Sequence, residues 1–153
     1  QVAAYKAKAA ALEADVKGIL EGKEDECLKA AIDFVLSHKD DALAPLIYAT
    51  ADPDKLHAIQ KRFGAEKSSH AVEQFFAKVA SELKKQGFER FIVAGGETSG
   101  IVTKSLEVKG FYIGPSVAPG VPWVRSINSP ISLVLKSGNF GNEDFFAIAQ
   151  KEY

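Results

Sequence analysis

The sequence predicts an α/β fold, and three stretches carry that reading. Phe91, Ile92, Val93 and Ala94 form a short apolar run that breaks into Gly95-Gly96-Glu97-Thr98-Ser99-Gly100 and then into a periodic segment, 101–106. Such a run reads as a buried parallel strand feeding a helix through a tight turn. Ile131, Ser132, Leu133, Val134 and Leu135 make a second strand, followed by Lys136-Ser137-Gly138-Asn139-Phe140-Gly141-Asn142 and a helix-like segment from about Glu143. Ahead of both, Val72, Phe75, Phe76, Val79, Ala80 and Leu83 fall on one helical stripe, the spacing of a helix packed on a sheet. Strands alternating with helices imply a single three-layer α/β/α domain over 1–153 with a mainly parallel, Rossmann-like sheet.

The remaining elements follow in order. Val2, Tyr5, Ala9 and Leu12 recur at helical spacing among alanines, so the chain is expected to open with a helix from Gln1 to about Leu12. A short strand is expected over 14–17, before a turn at Gly18. Glu24, Asp25 and Glu26 put negative charge at the start of a second helix whose apolar face is Leu28, Ala31, Ile32, Val35 and Leu36. These acids are read as dipole compensation rather than as a metal site. Residues 45–50 read as a core strand, and Asp52-Pro53 supplies the cap and first residue of a short helix carrying Leu56, Ile59 and Phe63 and ended by Gly64. The turn at 50–52 has two readings, a pocket wall and a plain helix cap, of which the cap is preferred. The amphipathic helix is expected to begin after Ser68-Ser69 and close at Gly87, with Phe75 and Phe76 in the core. From Gly110 to Trp123 the chain is rich in proline and glycine, with short strands expected over 111–113 and 121–124 and Trp123 as an apolar anchor.

Composition narrows the function. With 153 residues, 46% of them hydrophobic, the chain can bury the core of one domain unaided. A net charge of −1, with lysines and arginines spread along the chain, offers no basic face for nucleic acid. Cys27 is the single cysteine, which excludes an internal disulfide or a cysteine metal cluster and is expected to be a buried, inert thiol. His38, His57 and His70 have no ligand spacing and are read as surface residues on helices. No apolar stretch approaches the ~18 residues of a membrane span, and no signal-peptide pattern opens the chain, so the cytoplasm is the expected location. A start at Gln1 and the lack of methionine are expected of a segment of a longer protein.

Two glycine-rich strand-to-helix loops would share the C-terminal edge of one sheet, the place where open α/β sheets bind ligands. Gly95, Gly96 and Gly100 allow positive φ and close approach to the main chain, and Thr98 or Ser99 is expected to cap a helix whose free N–H groups attract anions. The motifs GGETSG at 95–100, Ile113-Gly114-Pro115 with Pro119-Gly120-Val121-Pro122-Trp123, and LKSGNFG at 135–141 resemble the C-terminal nucleotide-binding domain of the four-carbon acid sugar kinases, most of all their 3-oxo-tetronate kinase branch. The resemblance covers nearly the whole chain, with all three motifs in order. It implies the ATP-binding portion of a kinase that transfers the γ-phosphoryl group of ATP, with Mg²⁺, to a small four-carbon sugar acid, 3-oxo-tetronate above others. It also implies an N-terminal domain for the sugar acid and a serine-rich loop just ahead of Gln1, both outside this chain. The chain alone is therefore expected to bind nucleotide weakly and not to turn over. A general base is not identifiable here, and homo-oligomerisation is left open.

A kinase has chiefly to position the nucleotide and neutralise charge on the transferred group. Gly95, Gly96, Thr98 and Ser99 are the candidates for cradling phosphates, with Gly138, Asn139 and Gly141 closing the other side. Lys136, where a strand ends and a glycine loop begins, reads either as a phosphate partner or as a solvated lysine. Glu97 beside a phosphate loop would repel the ligand, so it is read either as linked to Mg²⁺ through water or as contacting the ribose or the loop backbone. Glu143 and Asp144 are read as helix-start residues. Two other classes remain: a nucleotide- or metabolite-sensing module without turnover, and a dinucleotide-dependent oxidoreductase. The latter is weakened because 95–100 does not keep the GxGxxG spacing, and no GxxxxGK[ST] run is present.

Overall fold

The computed structural model describes residues 1–49, 52–138 and 140–151. In chain order they form α1 (Val2–Lys6), β1 (Ala11–Glu13), α2 (Val16–Leu20), α3 (Glu24–Ser37), β2 (Leu46–Tyr48), α4 (Pro53–Phe63), α5 (Ala65–Lys85), β3 (Arg90–Ala94), α6 (Gly96–Ser105), β4 (Phe111–Ala118), β5 (Val121–Ser126), β6 (Ser132–Lys136) and α7 (Phe145–Lys151). Strand β1 pairs in parallel with β2, and the larger sheet has the order β3-β6-β5-β4. The α/β class is borne out, and the sheet is mixed: β3 and β6 are parallel, whereas β5 runs antiparallel to both β6 and β4. The physical reason is the two-residue link Pro119-Gly120, where Gly120 has φ 77°. So short a turn joins only antiparallel strands.

Alternation along β6 sorts the layers. Val134 faces a core made with Tyr5 of α1, Val121 and Trp123 of β5, and Phe145, Phe146 and Ala149 of α7. Leu133 faces the opposite core, with Ala80 of α5, Val102 and Leu106 of α6, and Val124. A third cluster packs α2, α3 and α5 around Ala14, Ile19, Val35, Phe75 and Val79, with Leu12 and Ile47 from the small sheet against it. Helices thus cover both faces, and the chain has the three layers expected. Trp123 is the anchor the sequence suggested, 2% exposed and donating its Nε1–H to the Ala149 carbonyl at 2.8 Å.

Several boundaries moved for identifiable reasons. The opening helix stops at Lys6, because the residues from Ala11 onward pair with β2 and tertiary pairing overrides alanine's helix propensity. The strand expected over 14–17 lies at Ala11–Glu13 instead. Residues from Val16 form α2, capped by Asp15, whose carboxylate accepts from the Gly18 N–H at 2.9 Å. Helix α5 begins at Ala65 rather than after Ser69, and the buried Ser68 donates its hydroxyl to the Gly64 carbonyl at 2.6 Å. Asp52 caps α4 as expected, accepting from the N–H groups of Asp54 and Lys55. No α4 side chain is fully buried, and Leu56 is exposed. Thr50 and Ala51 of the proposed pocket wall lie outside the described residues. Cys27 is half-buried rather than buried, and desolvation raises its thiol pKa. His57 and His70 are exposed, and His38 lies 2.8 Å from the Asp41 carboxylate at the end of α3.

Candidate functional site

The two glycine loops meet. Ala94 and Lys136 are paired at the ends of β3 and β6, the Gly95 N–H donates to the Lys136 carbonyl at 2.7 Å, and a Cβ on Gly96 would stand 3.6 Å from that of Ser137. From there the chain leaves in opposite directions. Strand β3 feeds α6, which packs on the face holding Val102 and Leu106. Strand β6 feeds the 137–144 loop and then α7, on the face holding Phe145 and Ala149. Adjacent parallel strands whose helices depart to opposite faces leave a crevice between them, the switch point at which α/β sheets take ligands.

Helix α6 ends on that crevice with its donors free of side-chain caps. Gly95, not Thr98 or Ser99, is the N-cap, and its φ of 109° is a conformation that favours glycine. The first-turn N–H groups of Gly96, Glu97 and Thr98 therefore have no intrahelical acceptor and point at the crevice with the positive end of the helix dipole. That arrangement fits a phosphate. Ser99 turns toward the protein: its N–H donates to the Gly95 carbonyl at 2.8 Å, and its buried hydroxyl donates to the Val93 carbonyl at 3.4 Å. Of the glycines expected at positive φ in the first loop, Gly95 alone shows it, while Gly96 and Gly100 lie in the helix.

Lys136 is not a solvated strand-end lysine. It is the last residue of β6 and 2% exposed. Its ammonium donates to the Gly138 carbonyl and lies 5.7 Å from the centre of the Phe145 ring. Burial lowers its pKa from the ordinary 10.5. The lysine braces the second loop from beneath. Gly138 and Gly141 are exposed on that loop, with φ 52° and 78°, while Asn139 lies outside the described residues. Glu97 is exposed in the first turn of α6, where it complements the dipole when no anion is present. Among the described residues no three acids, histidines or cysteines gather as metal ligands.

Sequence reasoning missed the supports of the second loop. The Gln1 side-chain amide reaches the carbonyls of Phe140, Gly141 and Asn142 at 3.0, 3.1 and 2.8 Å. Lys8 pairs with Asp144 at 2.5 Å, which holds that carboxyl below the usual carboxylate range. Asn142, rather than Glu143 or Asp144, provides the helix-start side chain, its Oδ1 accepting from the Asp144 N–H at 3.1 Å. Two clefts flank the crevice. One of about 200 Å³ is lined by Thr98, Ala49, Val16 and residues of α4 and α5. The other, about 470 Å³, lies between residues 117–119 and the Gly141–Phe145 side of the second loop.

A family model described as the nucleotide-binding C-terminal domain matches residues 1–146. The chain belongs to that family. Among curated relatives of this C-terminal domain, a 3-oxo-tetronate kinase of Pectobacterium atrosepticum is 58% identical over 155 residues, taking in 100% of this chain and 37% of the relative. A 3-oxo-tetronate kinase of Brucella melitensis is 55% identical, taking in 99% of this chain and 34% of the relative. A crystal structure from Salmonella typhimurium LT2 superposes with a TM-score of 0.92 at 50% identity, covering 99% of this chain and 37% of that one. The domain therefore spans little more than a third of the relatives it matches. No helix among the described residues is long and apolar enough to cross a membrane.

Proposed function

We propose that this chain is the ATP-binding portion of a two-domain cytoplasmic kinase that transfers the γ-phosphoryl group of Mg·ATP to a hydroxyl of a four-carbon sugar acid, with 3-oxo-tetronate the first substrate to test. The observation that carries the reading is the uncapped N-terminus of α6 opening on the β3–β6 switch point, in a chain whose relatives are named 3-oxo-tetronate kinases. In this reading the N–H groups of Gly96, Glu97 and Thr98 take phosphate oxygens, Gly138, Asn139 and Gly141 close the opposite side, and Lys136 holds the latter loop in place. Positioned donors of this kind act on charge that develops on the transferred group. Glu97 stands beside the Mg²⁺-bridged phosphates, where the cation offsets its repulsion. The sugar acid and the general base belong to the N-terminal domain or its junction with this one.

The test is ADP release by the full-length protein supplied with Mg·ATP and a panel of four-carbon sugar acids and their 3-oxo forms, with a Gly96→Val variant alongside. Beside Gly96 the nearest atom to an added Cβ is at an ordinary contact distance, so the variant is expected to fold while its branched side chain keeps phosphate off the helix N-terminus. Substrate-dependent ADP release that the variant loses supports the reading. ATP binding without ADP release on any substrate favours a sensing module instead.

A further inference from the structure

We infer that Gln1 is a positioning residue for the nucleotide: its side-chain amide gathers the carbonyls of the second glycine loop and so leaves that loop's N–H groups open to an anion. The inference rests on the proposed ATP-binding function. Gln1 stands at the N-cap of α1 but makes no side-chain cap bond there. Its Nε2 lies instead 3.0, 3.1 and 2.8 Å from the carbonyl oxygens of Phe140, Gly141 and Asn142. A side-chain amide nitrogen carries two hydrogens, so the three successive carbonyls share them.

Carbonyls turned to one point fix the neighbouring N–H groups as well. A trans peptide is planar, with its N–H directed opposite to its C=O, and no peptide bond among the described residues is cis. The N–H groups of Gly141, Asn142 and Glu143 therefore point away from Gln1. None of the three finds an acceptor among the described residues. The next two donors are used within the loop: the Asp144 N–H reaches Asn142 Oδ1 at 3.1 Å and the Phe145 N–H reaches the Asn142 carbonyl at 3.2 Å. Other side chains grip the loop only at its ends, Lys136 at the Gly138 carbonyl and Lys8 at the Asp144 carboxylate. Among the described residues, Gln1 alone donates to the carbonyls of Phe140 and Gly141. Without its amide those oxygens must turn to water for partners, and the N–H groups of the same peptides turn with them.

The experiment compares Gln1→Met, which keeps the side chain's length and removes its donors, with Gln1→Glu, whose carboxylate meets the carbonyl oxygens. In the full-length protein, calorimetry measures the Kd of Mg·ATP for the wild type and both variants at neutral pH, and for the wild type and Gln1→Glu in steps down to about pH 5. Thermal unfolding checks that each variant is folded. The expected Kd rises roughly fivefold in Gln1→Met and further in Gln1→Glu. Only a protonated carboxyl can donate to a carbonyl, and the surrounding oxygens raise its pKa. The Kd of Gln1→Glu, taken as a ratio to wild type, should therefore fall as the pH is lowered. A glutamine that merely stabilised the fold would lower the unfolding temperature and leave that ratio flat. An unchanged Kd in both folded variants, or a ratio that does not move with pH, overturns the inference. Should Gln1→Glu misfold, hydrogen exchange of the 141–143 amides in Gln1→Met decides: protection by Mg·ATP should be present in the wild type and lost in the variant, and protection kept in both overturns the inference. A wild type that binds Mg·ATP but releases no ADP refutes the kinase reading alone, and the Kd comparison still decides the role of Gln1. A wild type that binds no Mg·ATP overturns the nucleotide reading and this inference with it.

Discussion

Replacing Gly141 with alanine should be among the most damaging single-methyl additions in the second loop. Gly141 has φ 78°, and a Cβ there would stand 2.3 Å from Cδ2 of Phe145, a ring that is 1% exposed. The left-handed backbone costs an L-residue roughly 1–2 kcal/mol, and displacing a packed core ring adds about 1–3 kcal/mol. Gly138 provides the internal control, because its φ is 52° but nothing lies within 4 Å of its added Cβ. The Gly141→Ala variant should therefore lose roughly 2–5 kcal/mol and Gly138→Ala only the backbone part, roughly 1–2 kcal/mol. Urea unfolding of this domain, followed by the fluorescence of Trp123, reads both, since Trp123 and Phe145 share one core. A Gly141→Ala, Phe145→Leu double variant should recover about 1 kcal/mol relative to the sum of its single changes. Equal losses at 138 and 141, or strict additivity in the double variant, would refute the steric account.

Removing the α4 cap with Asp52→Ala should cost about 1 kcal/mol in urea unfolding, because the carboxylate accepts from Asp54 and Lys55. Lys136 makes a pH prediction. Burial depresses its folded pKa below 10.5, so the unfolded chain binds more protons in that window, and this group's contribution to stability rises as pH climbs through the depressed pKa toward 10.5. Parallel unfolding curves for wild type and Lys136→Met across alkaline pH should diverge with that sign, and curves of identical slope would contradict it. Asp144 has the same sense in the acid range: the Lys8 hydrogen bond depresses its pKa below 3.8, so its stabilising effect is present above 3.8 and disappears as pH falls through the folded value. Lys8→Met should flatten the acid limb of an unfolding titration.

Both glycine loops were legible in the sequence because an apolar strand followed by glycine is a local pattern, and the amphipathic stripe of α5 was legible for the same reason. Lys136 was misplaced by one residue of strand length. With β6 ending at Leu135 it reads as loop, whereas with β6 ending at Lys136 it joins Ser132 and Val134 on the face covered by α7. The capping roles of Thr98 and Ser99 were wrong because α6 begins two residues before Thr98, on a glycine whose φ alone makes the turn. The Gln1 contacts link residues 139 to 141 positions apart, and no periodicity or spacing reveals contacts of that range.

The opposite departures of α6 and α7 have a bearing on how such a domain can change over time. One loop is moored in the Val102 and Leu106 core, the other in the Phe145 and Trp123 core, and the sheet stands between them. Substitutions deep in one core can shift the grip on one end of a ligand while leaving the other end untouched. A lineage can thus remodel the loop ahead of α7 without disturbing the turn ahead of α6, and selection can act on each loop separately.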